Sequence, residues 1–200
     1  MSAGVRSTLA VIVIAALALS ATLAWRQWTE QARAHALVHL QIEQRLAVLP
    51  AQSYDNQPLD TPLALPEPQL PNSRILAGYL ATLATQPTAV LLISQTQGYS
   101  SAITLGIAIS PDGRLLASRV IEQQETPGLG GRLGDPQVGW LAQFANRRAT
   151  DKWMLKRDHG DFDQLVGATV TSRAVMEALQ EALGYFDQHR NELLGVPGHE

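Results

Sequence analysis

An uncharged apolar run from Thr8 to Trp25, Thr-Leu-Ala-Val-Ile-Val-Ile-Ala-Ala-Leu-Ala-Leu-Ser-Ala-Thr-Leu-Ala-Trp, constrains this chain more than any other feature. Wound as a helix at about 1.5 Å per residue it reaches roughly 27 Å, enough to cross the hydrocarbon layer of a bilayer. Arg6 precedes it, and Trp25, Arg26 and Trp28 follow, which sets cationic and aromatic anchors where the interfaces would lie. Ala16-Leu-Ala18 and Ala18-Leu-Ser20 have the small-x-small form of a leader cleavage site. Both lie inside the run with no polar segment after them, so an uncleaved anchor is expected rather than a removed signal peptide. Charge does not orient the span, because Arg26 and Arg33 on one side face Arg6 and the terminal amine on the other.

Beyond the span the chain must fold beside a membrane. The 200 residues allow one globular domain with appendages. The 15 Lys and Arg against 18 Asp and Glu form no basic stripe, which argues against nucleic acid as a partner. No cysteine is present, so thiolate-held clusters, disulfides and cysteine nucleophiles are excluded from this chain. Any electron chemistry then needs an organic cofactor, a haem or a metal on His and carboxylates, and a flavin fits best.

The expected organisation is a membrane anchor at 1–28, a helical stalk and Pro-rich linker at 29–72, a globular domain at 73–190 and a tail at 191–200. Leu37, Leu40, Ile42, Leu46 and Leu49 have helical spacing, continuing the span as a stalk. Six prolines from Pro50 to Pro71 then mark an extended linker or wrapping arm. In the domain, Arg74 to Ala84 reads as a short helix and Ala89 to Ser94 as an apolar strand. Thr104–Ser110 and Arg114–Glu122 read as a hairpin across Pro111-Asp112-Gly113. A helix over Val138–Ala145, a strand over Lys152–Lys156, a turn at Asp158-His-Gly-Asp and a helix over Ser172–Gln188 complete an α+β fold with an antiparallel sheet and flanking helices.

Two segments carry chemistry. Gly167-Ala168-Thr169 precedes an amphipathic helix with Val175, Met176, Leu179, Leu183 and Phe186 on one face. Local physics alone makes this a turn with Thr171 or Ser172 as N-cap, yet the same place suits a phosphate, which the helix N-terminus favours and the small residues admit. In Glu125-Thr126-Pro127-Gly128-Leu129-Gly130 a tight turn exposes amides and lifts a leucine between glycines. It reads as a strand-to-helix loop that also suits a flat ring. His35, His39 and Glu43 share one face of the stalk, as zinc or copper ligands do, though a solvated face explains them as well. Asp158, Asp161 and Asp163 resemble a calcium loop without its distal glutamate, and a surface turn is the better reading. Hydrolase and nucleotide-cleaving motifs are missing from the sequence.

The anchor, Gly98-Tyr99-Ser100, Glu125 to Gly130, Trp153 and Asp161 to Val175, in this order, resemble the G subunit of the Rnf (Rsx) ion-translocating electron transport complex. They are similar, more distantly, to the C subunit of the sodium-translocating NADH:quinone reductase. The resemblance implies a single transmembrane helix followed by a small FMN-binding domain, placed on the periplasmic side of a bacterial inner membrane. It implies FMN joined through its phosphate to Thr169, within the pattern Asp-x-x-Ser/Thr-Gly-Ala-Thr/Ser that Asp163, Gly167, Ala168 and Thr169 match. Val166 departs from that pattern at the hydroxyl position. Glu125, Thr126, Gly128, Leu129 and Gly130 are then expected against the flavin ring, with Gly167, Ala168, Thr171 and Ser172 near the phosphate. The implied partners are the other membrane subunits and a flavin transferase that uses FAD and magnesium. A noncovalent flavin protein and a cofactor-free membrane-anchored adaptor of a redox complex are the alternatives.

Overall fold

The computed structural model describes residues 45–50, 53–135 and 137–195. The expected span Thr8–Trp25, the His35, His39 and Glu43 face, most of the stalk and the end of the tail lie outside the described residues. Among the described residues no helix is long and apolar enough to cross a membrane.

Four antiparallel strands form one sheet in sequence order: β1 (Ser73–Leu83), β2 (Gln86–Gln97), β3 (Ala102–Ile109) and β4 (Leu115–Glu122). The expected helix at Arg74–Ala84 is therefore corrected to strand β1. Its apolar residues lose period-2 alternation because the register shifts between Ile75 and Ala77, a bulge at Leu76. Ile75 consequently faces one core while Ala77, Tyr79 and Ala81 face the other. The β1–β2 turn uses Ala84 and Thr85 at φ 49° and 65°, a conformation normally supplied by Asn or Gly. Asp55 holds that turn by accepting from the Ala84 N–H at 2.8 Å.

The hairpin across Pro111-Asp112-Gly113 forms as expected, with Gly113 at φ +85°. Helix α1 (Thr169–Gln188) packs Val175, Leu179, Ala182, Leu183 and Phe186 on Val90, Leu92, Leu105 and Ile107. Val48, Leu49 and Tyr54 cover the opposite face over Leu91, Ile93 and Ala108. Both faces of β2 and β3 are thus buried, so their run of apolar residues reads as continuous rather than alternating.

The Pro-rich segment is the wrapping arm. Leu63 N–H bonds to Gly78 C=O at 2.8 Å and Asp55 N–H to Thr82 C=O at 2.9 Å, while Tyr185 ties the arm to α1 through Pro66 C=O at 2.8 Å. This covers the outer edge of β1, where unpaired backbone would otherwise invite another chain. Prolines suit that place because an edge needs only some of its N–H groups paired.

The expected helix at Val138–Ala145 is reduced to a 3-10 helix at Trp140–Phe144. It starts after left-handed Gly139 and stops where Asn146 N–H turns to Leu115 C=O at 2.7 Å. The expected strand at Lys152–Lys156 is instead an isolated bridge between Leu155 and Phe162. Around that bridge Trp153, Phe162, Phe144 and Trp140 form an aromatic cluster, with Phe144 and Trp153 stacked at 5.7 Å.

Candidate functional site

The loop before α1 is held through its backbone. Asp163 is gripped by its main chain: its C=O accepts from Trp140 Nε1 at 2.6 Å and Gln143 Nε2 at 3.0 Å, and its N–H donates to Gln143 Oε1 at 2.8 Å. Leu165 is buried, and its N–H donates to the Ser172 hydroxyl at 2.9 Å. That hydroxyl in turn donates to Ala168 C=O at 2.9 Å. Between these fixed points Gly167 takes φ +76°, and an added Cβ there would sit 2.7 Å from Leu129 Cδ2. Glycine is thus favoured by the left-handed backbone, and the end of the Leu129 side chain fills the space a Cβ would take.

α1 starts at Thr169, earlier than the expected Ser172, and no side chain caps it. Its first turn carries no acidic residue. Thr169 Oγ1 accepts from Arg157 Nη1 at 3.2 Å and donates to Gln164 Oε1 at 3.2 Å. A hydroxyl, a guanidinium and an uncapped helix N-terminus meet at this point, a setting that favours an anion. Val166 is 84% exposed, so the hydroxyl it lacks leaves no buried partner unpaired.

The second wall is the Glu125–Gly130 loop. Leu129 N–H and Gly131 N–H both reach Thr126 C=O, at 3.2 and 2.9 Å, with Gly128 at φ +79° after Pro127. This is a type II turn, for which proline and glycine in that order are suited. The Cβ position of Gly128 opens onto free space. Together the two loops and Tyr99 enclose a cleft of about 360 Å3, lined by Glu125, Thr126, Leu129, Gly130 and Gly167 to Thr171. Tyr99, 73% exposed, and Leu129 and Val170, both exposed, give its mouth an apolar character.

The expected residues do not all present themselves to this cleft. Ser172 is fully buried on the core side, and its hydroxyl is spent on the loop backbone. Thr171 lines the cleft, but its hydroxyl donates to Glu125 Oε2 at 2.6 Å. Neither acts as N-cap. Tyr99 lines the cleft and Arg157 reaches it through Thr169; Tyr99 lies in the Gly98-Tyr99-Ser100 stretch that carries the resemblance but is not read there as a site residue, and a lone Arg in a charged turn carries no local pattern. The triad of aspartates is dispersed into ion pairs: Asp158 with Arg173 at 2.7 Å, Asp161 with Arg147 at 3.7 Å and Asp163 with Lys156 at 2.6 Å. Among the described residues no group of three or more His, Cys, Asp or Glu could hold a metal ion.

Glu125 is only 6% exposed. Burial alone would raise its pKa, but bonds from the Thr171 hydroxyl, the Ser100 and Ser101 amides and the Ser100 hydroxyl outweigh it and hold the carboxyl below its ordinary value of 4.5. A depressed folded-state value means the ionised group stabilises fully above pH 4.5 and that stability is lost as pH falls through the folded value. Thermal melts of the full chain from neutral pH downward are expected to show wild type losing stability below that point more steeply than Glu125→Gln. Parallel curves would remove Glu125 from the acid response.

The geometry defines a cleft of about 360 Å3 with a phosphate-suited rim, and residues 98–184 match the FMN-binding domain family. The rim and the wall fit that group on their own terms: an anion-suited rim at Thr169, and Gly130 and Gly167 in the wall of the cleft, which Gly128 does not line. The G subunit of the ion-translocating oxidoreductase complex of Pseudomonas aeruginosa (strain UCBPP-PA14) is 40% identical over 184 residues, covering 88% of this chain and 86% of that protein. The corresponding G subunit of Vibrio parahaemolyticus is 34% identical over 155 residues, covering 75% and 74%. The chain belongs to this family, the G subunits of ion-translocating oxidoreductase complexes. The crystal structure of Shewanella oneidensis NqrC aligns over 72% of each chain at 21% identity and a TM-score of 0.48.

Proposed function

We propose that this chain is a membrane-anchored flavoprotein subunit of an ion-translocating electron transport complex, with FMN attached by a phosphoester to Thr169. Its domain lies on the periplasmic side of a bacterial inner membrane, anchored by the Thr8–Trp25 span, and the other subunits of the complex are its electron-transfer partners. The observation that carries the reading is the placement of the Thr169 hydroxyl. It stands at an uncapped helix N-terminus, 3.2 Å from Arg157, on the rim of the cleft that the Glu125–Gly130 loop walls.

A flavin transferase would supply FMN from FAD. The Thr169 oxygen would hold FMN through an ester to the flavin-side phosphorus, formed as the pyrophosphate bond of FAD broke with AMP as leaving group and the hydroxyl proton passed to solvent. Gln164 would orient that hydroxyl, Arg157 would neutralise the anionic ester, and Leu129 and Tyr99 would give the flavin apolar surface at the mouth of the cleft. The bound flavin supplies the reversible electron chemistry, and the protein supplies position and electrostatics.

Intact-mass measurement of the membrane-extracted chain, produced with a flavin transferase, is expected to show one FMN less water and a retained N-terminal span. An unmodified mass in a complex that still passes electrons would overturn the assignment. Arg157→Ala is expected to slow flavin attachment roughly fivefold, consistent with about 1 kcal/mol for an exposed charged contact, and Arg157→Lys to recover part of the rate. Time courses of FMN incorporation followed by mass spectrometry read this directly.

A further inference from the structure

Glu125 draws together segments that are far apart in sequence. Its Oε1 accepts from the Ser100 and Ser101 N–H groups, each at 2.9 Å, and from both hydroxyls at 3.3 Å. Its Oε2 accepts from Thr171 in the first turn of α1. Its own N–H is held by Gln123 Oε1 at 2.6 Å. The socket admits nothing larger than hydrogen on either side: a Cβ on Gly98 would stand 2.6 Å from Oε1, and one on Gly130 2.7 Å from Oε2. The β2–β3 connection, the ring-side loop and the phosphate-side helix therefore share one carboxylate.

All of these donors are amide or hydroxyl dipoles. Among the described residues no cation pairs with Glu125, so its net charge is solvated but not cancelled. A cleft of about 360 Å3 that this residue itself lines leaves that charge close to whatever occupies it. Reducing a flavin adds negative charge to its ring, and a fixed, uncancelled carboxylate lining the cleft opposes that addition.

We infer that Glu125 is a positioning residue whose side-chain hydrogen bonds align the two flavin loops and whose buried negative charge holds the reduction potential of the bound flavin low. The inference rests on FMN occupying this cleft as proposed above. Glutamine separates the two roles. Its Oε1 can keep the Ser100 and Ser101 amides while its NH2 donates to Thr171, whose hydroxyl turns from donor to acceptor. Alanine leaves all of those groups unpaired around a void.

The test is spectroelectrochemical titration of the full-length, FMN-loaded protein beside its intact mass. Glu125→Gln is expected to carry FMN at the wild-type level and to show a higher midpoint potential. Glu125→Asp keeps the charge but shortens its reach, and is expected to load less FMN while its potential stays near wild type. Glu125→Ala is expected to lose most of its loading. A loaded Glu125→Gln protein at the wild-type potential would overturn the charge role. So would a Glu125→Asp potential raised as far as that of the glutamine variant, which would place the effect in geometry. Should glutamine fail to load, a loaded Glu125→Asp protein with a potential clearly above wild type overturns the charge role, and one at the wild-type potential supports it. Absence of FMN from wild type would sink the flavin reading itself, an outcome distinct from FMN present with an unresponsive potential.

Discussion

Thr169→Ala is expected to abolish covalent flavin completely while leaving the domain folded. The substitution removes the oxygen placed to form the ester, so the mass increment should vanish rather than decline. The fold should survive because the Thr169 hydroxyl does not cap α1 and bonds only to the partly exposed side chains of Arg157 and Gln164. Thr169→Ser keeps a hydroxyl at the same place and is expected to retain FMN. Denaturing gel fluorescence with intact mass checks both. A Thr169→Ala protein that still held FMN through denaturation would move the attachment elsewhere, and Thr171 and Ser172 offer poor alternatives. Thr171 is buried against Glu125, and Ser172 faces the core.

Phe162→Ala is expected to be the most destabilising single change near the site, at about 3–5 kcal/mol. Phe162 is 1% exposed and packs between Phe144 at 4.7 Å and Trp153 at 5.3 Å, with Arg147 over its ring at 5.0 Å. The resulting cavity would lie immediately before Asp163, whose backbone anchors the Thr169 loop to Trp140 and Gln143. Thermal melts should fall by on the order of 10 °C, and FMN loading should fall with them. Leu76→Ala, at the exposed bulge of β1, is expected to change stability by about 0.5 kcal/mol or less and serves as control. Equal losses in both variants would deny the aromatic cluster its special part.

The hairpin of β3 and β4 and the helix α1 were legible because each obeys one local rule, a Pro-Asp-Gly turn or an apolar face at helical spacing. β1 was not legible, for two reasons that compound. The bulge at Leu76 breaks its alternation, leaving Ile75, Tyr79 and Leu83 at spacings that a helix also satisfies. Its turn also puts Ala84 and Thr85 where Asn or Gly would have announced a hairpin, because Asp55 from the arm supplies the missing stabilisation. The start of α1 was misplaced for a related reason: a helix without a side-chain cap gives no signal at its first residue.

By itself the sequence determined the chemistry within reach: no thiol, one long uncharged span, a Pro-Gly turn beside Glu125, and small residues before a hydroxyl at Thr169. Those follow from residue type and near-neighbour spacing, which act over a few residues. Only the tertiary structure decided which hydroxyls are free. Along the chain the resemblance singles out Thr169, while Thr171 and Ser172 read as caps; packing instead spends Thr171 on Glu125 and Ser172 on the loop backbone, leaving Thr169 beside Arg157. That choice depends on contacts such as Glu125 to Thr171, where residues distant in sequence become hydrogen-bond partners only after the sheet and helix have closed on each other.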